Sequence, residues 1–345
     1  MTTAPRPAAS TARPRVQRTG RLDPADVAGV LALAQAAGDT DGAYPLSEHV
    51  VLHIRHGGEA PAVHLLARDP DGVLVGYAHV DTTDLVEGPS AELVVHPLRR
   101  RQGLGRALVD AAVQAAQQVD PRGRLRLWAH GDHPSASALA LSTGFERSRV
   151  LWQMRRSLFA PVSEPDLSDG VTLRAFRPGE DEAAWLAVNV RAFAEHPDQG
   201  RWTLRDLRVR MAEPWFDPAG FLIAEASDGL WTDRLGGRPD AEGGRMLGFH
   251  WTKVHGSRHT EAVPDGAAPH HHHPIGEVYV LGVDPAAHGL GLGTALTLAG
   301  LRHLRSLGLD QAMLYVDESN TTAVALYLKL GFARWSTDVS LRRRV

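Results

Sequence analysis

The sequence predicts an α/β chain made of two copies of one unit, and three observations predict it. The first is length, because 345 residues suit two domains that each bury a core. The second is a pair of strand–glycine loop–helix segments. One runs Leu93-Val-Val-His-Pro-Leu-Arg-Arg-Arg-Gln-Gly-Leu-Gly-Arg106, the other Val278-Tyr-Val-Leu-Gly-Val-Asp-Pro-Ala-Ala-His-Gly-Leu-Gly-Leu-Gly-Thr294. Pro97 lies six residues before Gly103, and Pro285 lies six before Gly291. The third is the order of elements after each loop: a helix, a strand (Leu125 to Ala129, Ala312 to Val316) and a helix ending in Gly-Phe. Gly103 to Gly144 spans 41 residues and Gly291 to Gly331 spans 40. Agreement over four elements marks an internal duplication.

Taken in order, residues 1–15 carry proline and small residues and no hydrophobic segment, which argues for a disordered tail and against a secretory signal. The first domain is expected over 16–158. Asp23-Pro24 caps a helix with Val27, Val30, Leu31 and Leu33 inward and Gly38 as its stop. Ser47-Glu48 opens a second, short helix. Val63 to Arg68 and Val73 to Val80 read as strands joined by the turn Asp69-Pro-Asp-Gly72. Ala91 to Val95 is the strand before the first loop, and Leu104 to Val119 the helix after it. Ala136 to Leu141 is helical, and Val150 to Arg155 is a last strand. A proline-rich linker falls at 159–170, and the second domain covers 171–345. There, Val171 to Phe176 restarts the pattern. Asp181 to Phe193 and Leu204 to Met211 read as helices, Phe221 to Ala226 and Met246 to Val254 as strands. The second glycine loop opens a helix from His288 that runs to Leu307.

Composition excludes several classes. A net charge of −3 gives no reason to expect nucleic acid or a membrane surface. No apolar run reaches the ~18 residues that span a bilayer. The chain has 0 cysteines, which removes disulfides, zinc thiolates and a cysteine nucleophile and fits a reducing cytoplasm. A monomer is expected. His270-His-His-His273 has metal-ligating side chains, but nothing else with ligand spacing accompanies it, so a solvated insertion is the reading and no metal is expected.

The glycine loops carry chemistry. A helix N-terminus has unpaired amides and the positive end of its dipole, and glycine lets those amides approach a phosphate closely. A loop of this kind also serves as a plain strand-to-helix turn; the second copy favours a ligand. The halves differ in reactive groups. Aligning the Gly-Phe ends sets Trp128 opposite Tyr315, His133 opposite Asn320 and Ala140 opposite Tyr327. Aligning the prolines sets Pro89 opposite Glu277. Acyl transfer from a thioester needs a base for the attacking amine and an acid for the departing thiolate, and only the second half holds candidates for both.

These features resemble the GNAT acyltransferase superfamily over nearly the whole chain. Its acyl-CoA loop, Arg or Gln, two residues, Gly, one residue, Gly or Ala, is matched by Arg100, Gly103 and Gly105. The second copy departs from it with His288. Gly248-Phe-His-Trp-Thr-Lys-Val-His255, His196-Pro-Asp-Gln-Gly200, Trp215-Phe-Asp-Pro218 and residues 276–287 look like the tandem mycothiol synthase family. That resemblance implies two domains of α+β type, each a mixed central sheet flanked by helices, the first catalytically degenerate yet able to bind acetyl-CoA. It implies transfer of acetyl from acetyl-CoA to the cysteine amine of cysteinyl-glucosaminyl-inositol. Glu277 would be the base and Tyr327 the acid. Glu48, Asp198, Lys253, Glu277 and Tyr315 would hold the acceptor, which would lie between the domains. Asp198 replaces the more familiar glutamate. In the first domain, acetyl-CoA would meet Leu93, Val94, Val95, Arg101, Gln102, Gly103, Leu104, Gly105 and Arg106. In the second it would meet Leu281, Gly282 and Val283, then the loop His288, Gly289, Leu290, Gly291, Leu292, Gly293 and Thr294, then Asn320, Thr321, Thr322, Ala323, Val324 and Ala325. The alternatives are acetylation of another amine, such as an aminoglycoside or a peptide N-terminus, and an acyl-CoA sensor without turnover.

Overall fold

A computed structural model describes residues 15–57, 62–84, 87–194, 199–228, 230, 245–256 and 274–343. They form two compact units, one reaching Val150 and resuming at Thr337, the other Leu151–Ser336. The Asp198 and His270–His273 expectations lie outside the described residues. Among the described residues no helix is long and apolar enough to cross a membrane.

The first unit contains β1 (Val16–Thr19), α1 (Pro24–Asp41), α2 (Glu48–His56), β2 (Val63–Arg68), β3 (Leu74–Asp81), β4 (Ser90–Val95), α3 (Leu104–Gln117), β5 (Arg126–Ala129) and α4 (Pro134–Ser142). Its sheet runs β1-β2-β3-β4-β5 and closes on β12 (Ala333–Arg343). Only β4 and β5 are parallel, as the crossover through α3 requires. Two apolar layers cover the sheet. Leu104, Leu108 and Ala112 of α3 pack on one face, and Val30, Leu33 and Val50 of α1 and α2 pack on the other.

The second unit contains the later part of β6 (Phe145–Ser157), then β7 (Val171–Ala175), α5 (Glu182–Ala192), α6 (Leu204–Met211), β8 (Phe221–Ala226), β9 (Met246–His255), β10 (Ile275–Val283), α7 (Leu292–Ser306), β11 (Gln311–Asp317) and α8 (Thr321–Lys329). Its sheet order is β7-β8-β9-β10-β11-β6, again with one parallel pair, β10 with β11. The two units therefore repeat one architecture, a mixed sheet between helices.

The last strand of each sheet comes from the other half of the sequence. Val339 and Leu341 of β12 pair with Ala129 and Leu127 of β5 and are buried in the first unit. Leu151 to Ser157 of β6 pair with Asp317 to Gln311 of β11, and Met154 is buried in the second. The linear domains expected from the repeat, 16–158 and 171–345, do not include this exchange.

Helix ends obey local chemistry. Asp23 caps α1 by accepting from the Asp26 amide at 2.7 Å. The helix passes through Gly38 and stops at Gly42, which takes φ 73° and donates its amide to the Gly38 carbonyl. The expected stop at Gly38 is therefore four residues early. The helix after the second glycine loop starts at Leu292, not at His288, because Pro285–Ala287 forms a separate 3-10 turn. β1 and β12 are absent from the sequence reading.

Candidate active site

The site is built where β10 leaves β11. The two strands pair only at Gly276, Glu277 and Val278, opposite Ala312, Met313 and Leu314. Beyond that, β10 continues to Val283 bonded to β9 alone. The Asp284 amide donates to the Leu247 carbonyl at 2.8 Å, so by alternation the backbone groups of Leu281 and Val283 point away from β9, toward the gap beside β11. These are two of the three residues expected to hold the pantetheine arm. The third, Gly282, is where a side chain would not fit, since a Cβ would lie 2.8 Å from the Phe249 ring.

A bulge lies where β10 parts from β11. Val278 pairs with Thr252 and Val280 with Trp251, so Tyr279 is an extra residue. Two valines that would share a face in a regular strand pack in different layers, Val278 against α7 and Val280 against α5. The bulge also corrects one sequence alignment. Met313 faces Glu277 where Arg126 faces Ser90, so the first-unit counterpart of Glu277 is Ser90, not Pro89. No carboxylate occupies either position. The β3–β4 register of the first unit runs without a bulge.

Glu277 and Lys253 sit opposite each other on β10 and β9, each 7% exposed. The Lys253 ammonium lies 4.5 Å from the Trp215 ring centre and 5.2 Å from that of Tyr279. Arg210 of α6 donates to the Tyr279 hydroxyl at 2.8 Å, fixing that ring. Glu277 Oε2 is 2.6 Å from His255 Nε2. Tyr315 is half-exposed on β11, and its hydroxyl accepts from the Gln153 amide at 2.7 Å. Tyr327 lies on α8 with its ring edge-on to Phe332. Burial pushes its phenol up to about 12, so it stays protonated throughout the neutral range. Glu48 belongs to the first unit, where it opens α2 behind the Ser47 cap.

Both glycine loops take one geometry. A 3-10 turn succeeds the strand, capped by His96 in the first copy and Asp284 in the second. Gly103 (φ 82°) and Gly291 (φ 70°) then occupy the N-cap positions of α3 and α7, with no side-chain cap on either helix. No side chain claims the amides of Leu104 and Gly105 or those of Leu292 and Gly293, while the Thr294 amide donates to the Gly291 carbonyl at 3.1 Å; two open amides at a helix start suit a pyrophosphate. Two positions earlier the copies diverge. Gly289 has φ 86°, and Arg101 takes φ 63°, a conformation L-residues seldom adopt. Arg100 is not directed at a ligand. Both its terminal nitrogens bond Asp41 at 2.7 Å. His288 is exposed at the matching place in the second loop. Asn320 and His133 are the N-caps of α8 and α4, Asn320 accepting from the Ala323 amide at 3.1 Å and His133 from that of Ser135 at 3.2 Å. Val324 is buried in the apolar layer, while Thr321, Thr322 and Ala325 are exposed.

The acetyltransferase (GNAT) family profile matches residues 194–332, and a second GNAT acetyltransferase domain profile matches 61–147. A mycothiol acetyltransferase of Salinispora arenicola is 57% identical over 95% of this chain and 97% of that protein. The chain belongs to the GNAT acetyltransferase family. A mycothiol acetyltransferase of Streptosporangium roseum is 55% identical over 95% of the chain and 99% of its own length. Among solved structures, a GCN5-related N-acetyltransferase of Sphaerobacter thermophilus superposes with a TM-score of 0.62 at 26% identity, covering 95% of both chains. A tandem GNAT protein of the clavulanic acid pathway does so at 0.64 and 20%, a likeness of fold.

Within this GNAT frame, sequence reasoning missed His255, Tyr279, Trp215 and Gln153 as partners of the expected site residues. His255, Tyr279 and Trp215 lie inside the motifs that carried the resemblance. Their contacts depend on strand register, which a motif does not give.

The first unit sets Asp81 and Ser90 where the second sets Lys253 and Glu277, and it places buried polar groups further along the same strands. The His64 ring lies 2.7 Å from the Tyr77 hydroxyl through Nδ1, and its ring centre is 5.4 Å from that of His79. Burial lowers His79 to about 3 and His64 to about 4, so both are neutral. Beside them, His130 Nδ1 lies 2.9 Å from Asp338, and its Nε2 faces Glu92 at 3.5 Å. Glu92 also accepts from the Ser47 amide at 2.5 Å. The two carboxylates hold His130 as a cation, raising it to about 10 against the opposing effect of burial.

Proposed function

We propose that the chain transfers the acetyl group of acetyl-CoA to the cysteine amine of cysteinyl-glucosaminyl-inositol, producing mycothiol. The observation that carries this reading is the buried Glu277 beside the opened strand pair, in a chain more than half identical to mycothiol acetyltransferases over nearly its full length. Acetyl-CoA fits the uncapped N-terminus of α7 and the free backbone of Leu281 and Val283. Glu277 takes a proton from the acceptor ammonium. With an unperturbed pKa of about 7.7–8.0, that amine needs only a modest base. Backbone groups of β10 orient the thioester carbonyl. Tyr327, held protonated, gives a proton to the departing sulfur. Lys253, Tyr315, Glu48 and Asp198 are proposed to bind the acceptor. The first unit is proposed to be catalytically silent. Ser90 at the place of Glu277 and a β4 without a bulge support that reading, and the uncapped α3 keeps a second acetyl-CoA position available.

The test is coenzyme A release from acetyl-CoA with cysteinyl-glucosaminyl-inositol, beside aminoglycosides and peptides, repeated with Glu277→Gln and Tyr327→Phe. The expected result is turnover confined to the cysteinyl sugar and a loss of about 10²–10⁴ in kcat for each variant. Binding of acetyl-CoA without turnover of any amine would refute it.

A further inference from the structure

Glu277 has one carboxylate oxygen engaged by a residue to which no role is yet given. His255 is the last residue of β9, two beyond Lys253, and it pairs in register with Ile275 as Lys253 pairs with Glu277. Alternation along the strand therefore places Lys253 and His255 on one face. The 2.6 Å contact joins His255 Nε2 to Glu277 Oε2, and the other oxygen, Oε1, remains for an amine. The pair also crosses from protein to water. The Glu277 side chain is 9% exposed and that of His255 36%. The charged and titratable groups on this face of the packed strands are Lys253 from β9, Tyr279 from β10 and, two residues beyond the apolar Met313, Tyr315 from β11.

We infer that His255 is a positioning residue for the proposed acetyl transfer, and that it carries the proton of each turnover from Glu277 to solvent. The inference rests on that reading of the site. The proton balance requires such a path. An ammonium loses two protons in becoming an amide. One balances the proton that Tyr327 gives to the sulfur as the C–N bond forms and the C–S bond breaks. The other passes to Glu277 and must leave before the next acceptor binds. Glu277 is too buried to discharge it freely, and the imidazole is the exposed group in contact with it. Holding Oε2 also fixes the carboxylate rotamer, so that Oε1 is presented to the nitrogen.

The experiment uses the full chain with acetyl-CoA and cysteinyl-glucosaminyl-inositol, comparing wild type, His255→Ala, His255→Gln and Glu277→Ala with and without added imidazole. His255→Ala is expected to lose tenfold or more in kcat while KM for both substrates stays within twofold. Imidazole is expected to restore a large part of that loss, and to restore nothing in Glu277→Ala. His255→Gln keeps a donor toward Oε2 without a ring that relays, so its kcat should stay at least fivefold down and gain nothing from imidazole. A His255→Ala enzyme within twofold of wild type, or one that imidazole does not rescue, overturns the inference. Failure of the wild type to acetylate the acceptor overturns it together with the reading beneath it, and is told apart because no substitution is involved.

Discussion

Replacing His130 by alanine removes the centre of a buried charged chain in the first unit. Glu92 and Asp338 are 7% and 9% exposed, and His130 is the cation between them. Its removal leaves two carboxylates facing one another without a counter-charge. Breaking a buried pair in this way costs about 3–5 kcal/mol. The raised pKa gives a similar figure. A rise from 6.5 to about 10 corresponds to roughly 4–5 kcal/mol at 1.36 kcal/mol per unit. For a unit of this size the melting temperature should fall by about 6–20 °C. Differential scanning calorimetry on wild type and His130→Ala reads this directly. The pH dependence has a definite sign. The folded pKa of His130 lies above its unfolded value, so its contribution is complete below pH 6.5 and is lost as pH rises through about 10. Glu92 is held below its ordinary value: burial opposes this, but His130 and the Ser47 amide outweigh it. Its share is present above about 4.5 and lost as pH falls. The gap between the two proteins should therefore be widest between about pH 4.5 and 6.5 and close toward pH 10. A drop under 2 °C, or a gap unchanged between pH 6.5 and 10, would refute the argument.

Two further expectations concern the loop and the exchanged strand. Gly291→Ala puts a side chain at φ 70° where open space surrounds the Cβ, so the cost is backbone strain of about 1–2 kcal/mol, and scanning calorimetry should show the melting temperature lowered by about 2–8 °C. Ending the chain at Ser336 removes Val339 and Leu341, 0% and 1% exposed, and with them about 3–6 kcal/mol of burial. Rapid proteolysis of the first unit should result, and its survival intact would contradict the pairing of β12 with β5.

The repeat was legible because glycine and proline report local geometry. Both loops adopt the same turn, and Asn320 and His133 cap matching helices, as the alignment of the Gly-Phe ends requires. Glu277 and Tyr315 emerged from setting the two halves against each other, Lys253 from motif resemblance, and the sheet sets Glu277 and Lys253 side by side. The features that stayed hidden were non-local. The bulge at Tyr279 shifts the alignment by one residue and leaves no mark in spacing. His255 meets Glu277 only through register. β12 mixes Arg334, Asp338 and Arg342 with its two buried aliphatics, a weak strand signal. Its exchange with β6 is invisible to a repeat search, because both arrangements give the same order of elements along the chain.

That exchange has a consequence for synthesis. Val339 is the sheet partner of Ala129, 210 residues downstream (339 − 129). At ribosomal rates of about 5–20 residues per second, the bare edge of β5 waits on the order of 10–40 s for its neighbour. The half of the protein made first is thus the half completed last. During that interval its open edge is a template for strands of other nascent chains, and the rate of translation through the second half sets the length of the exposure.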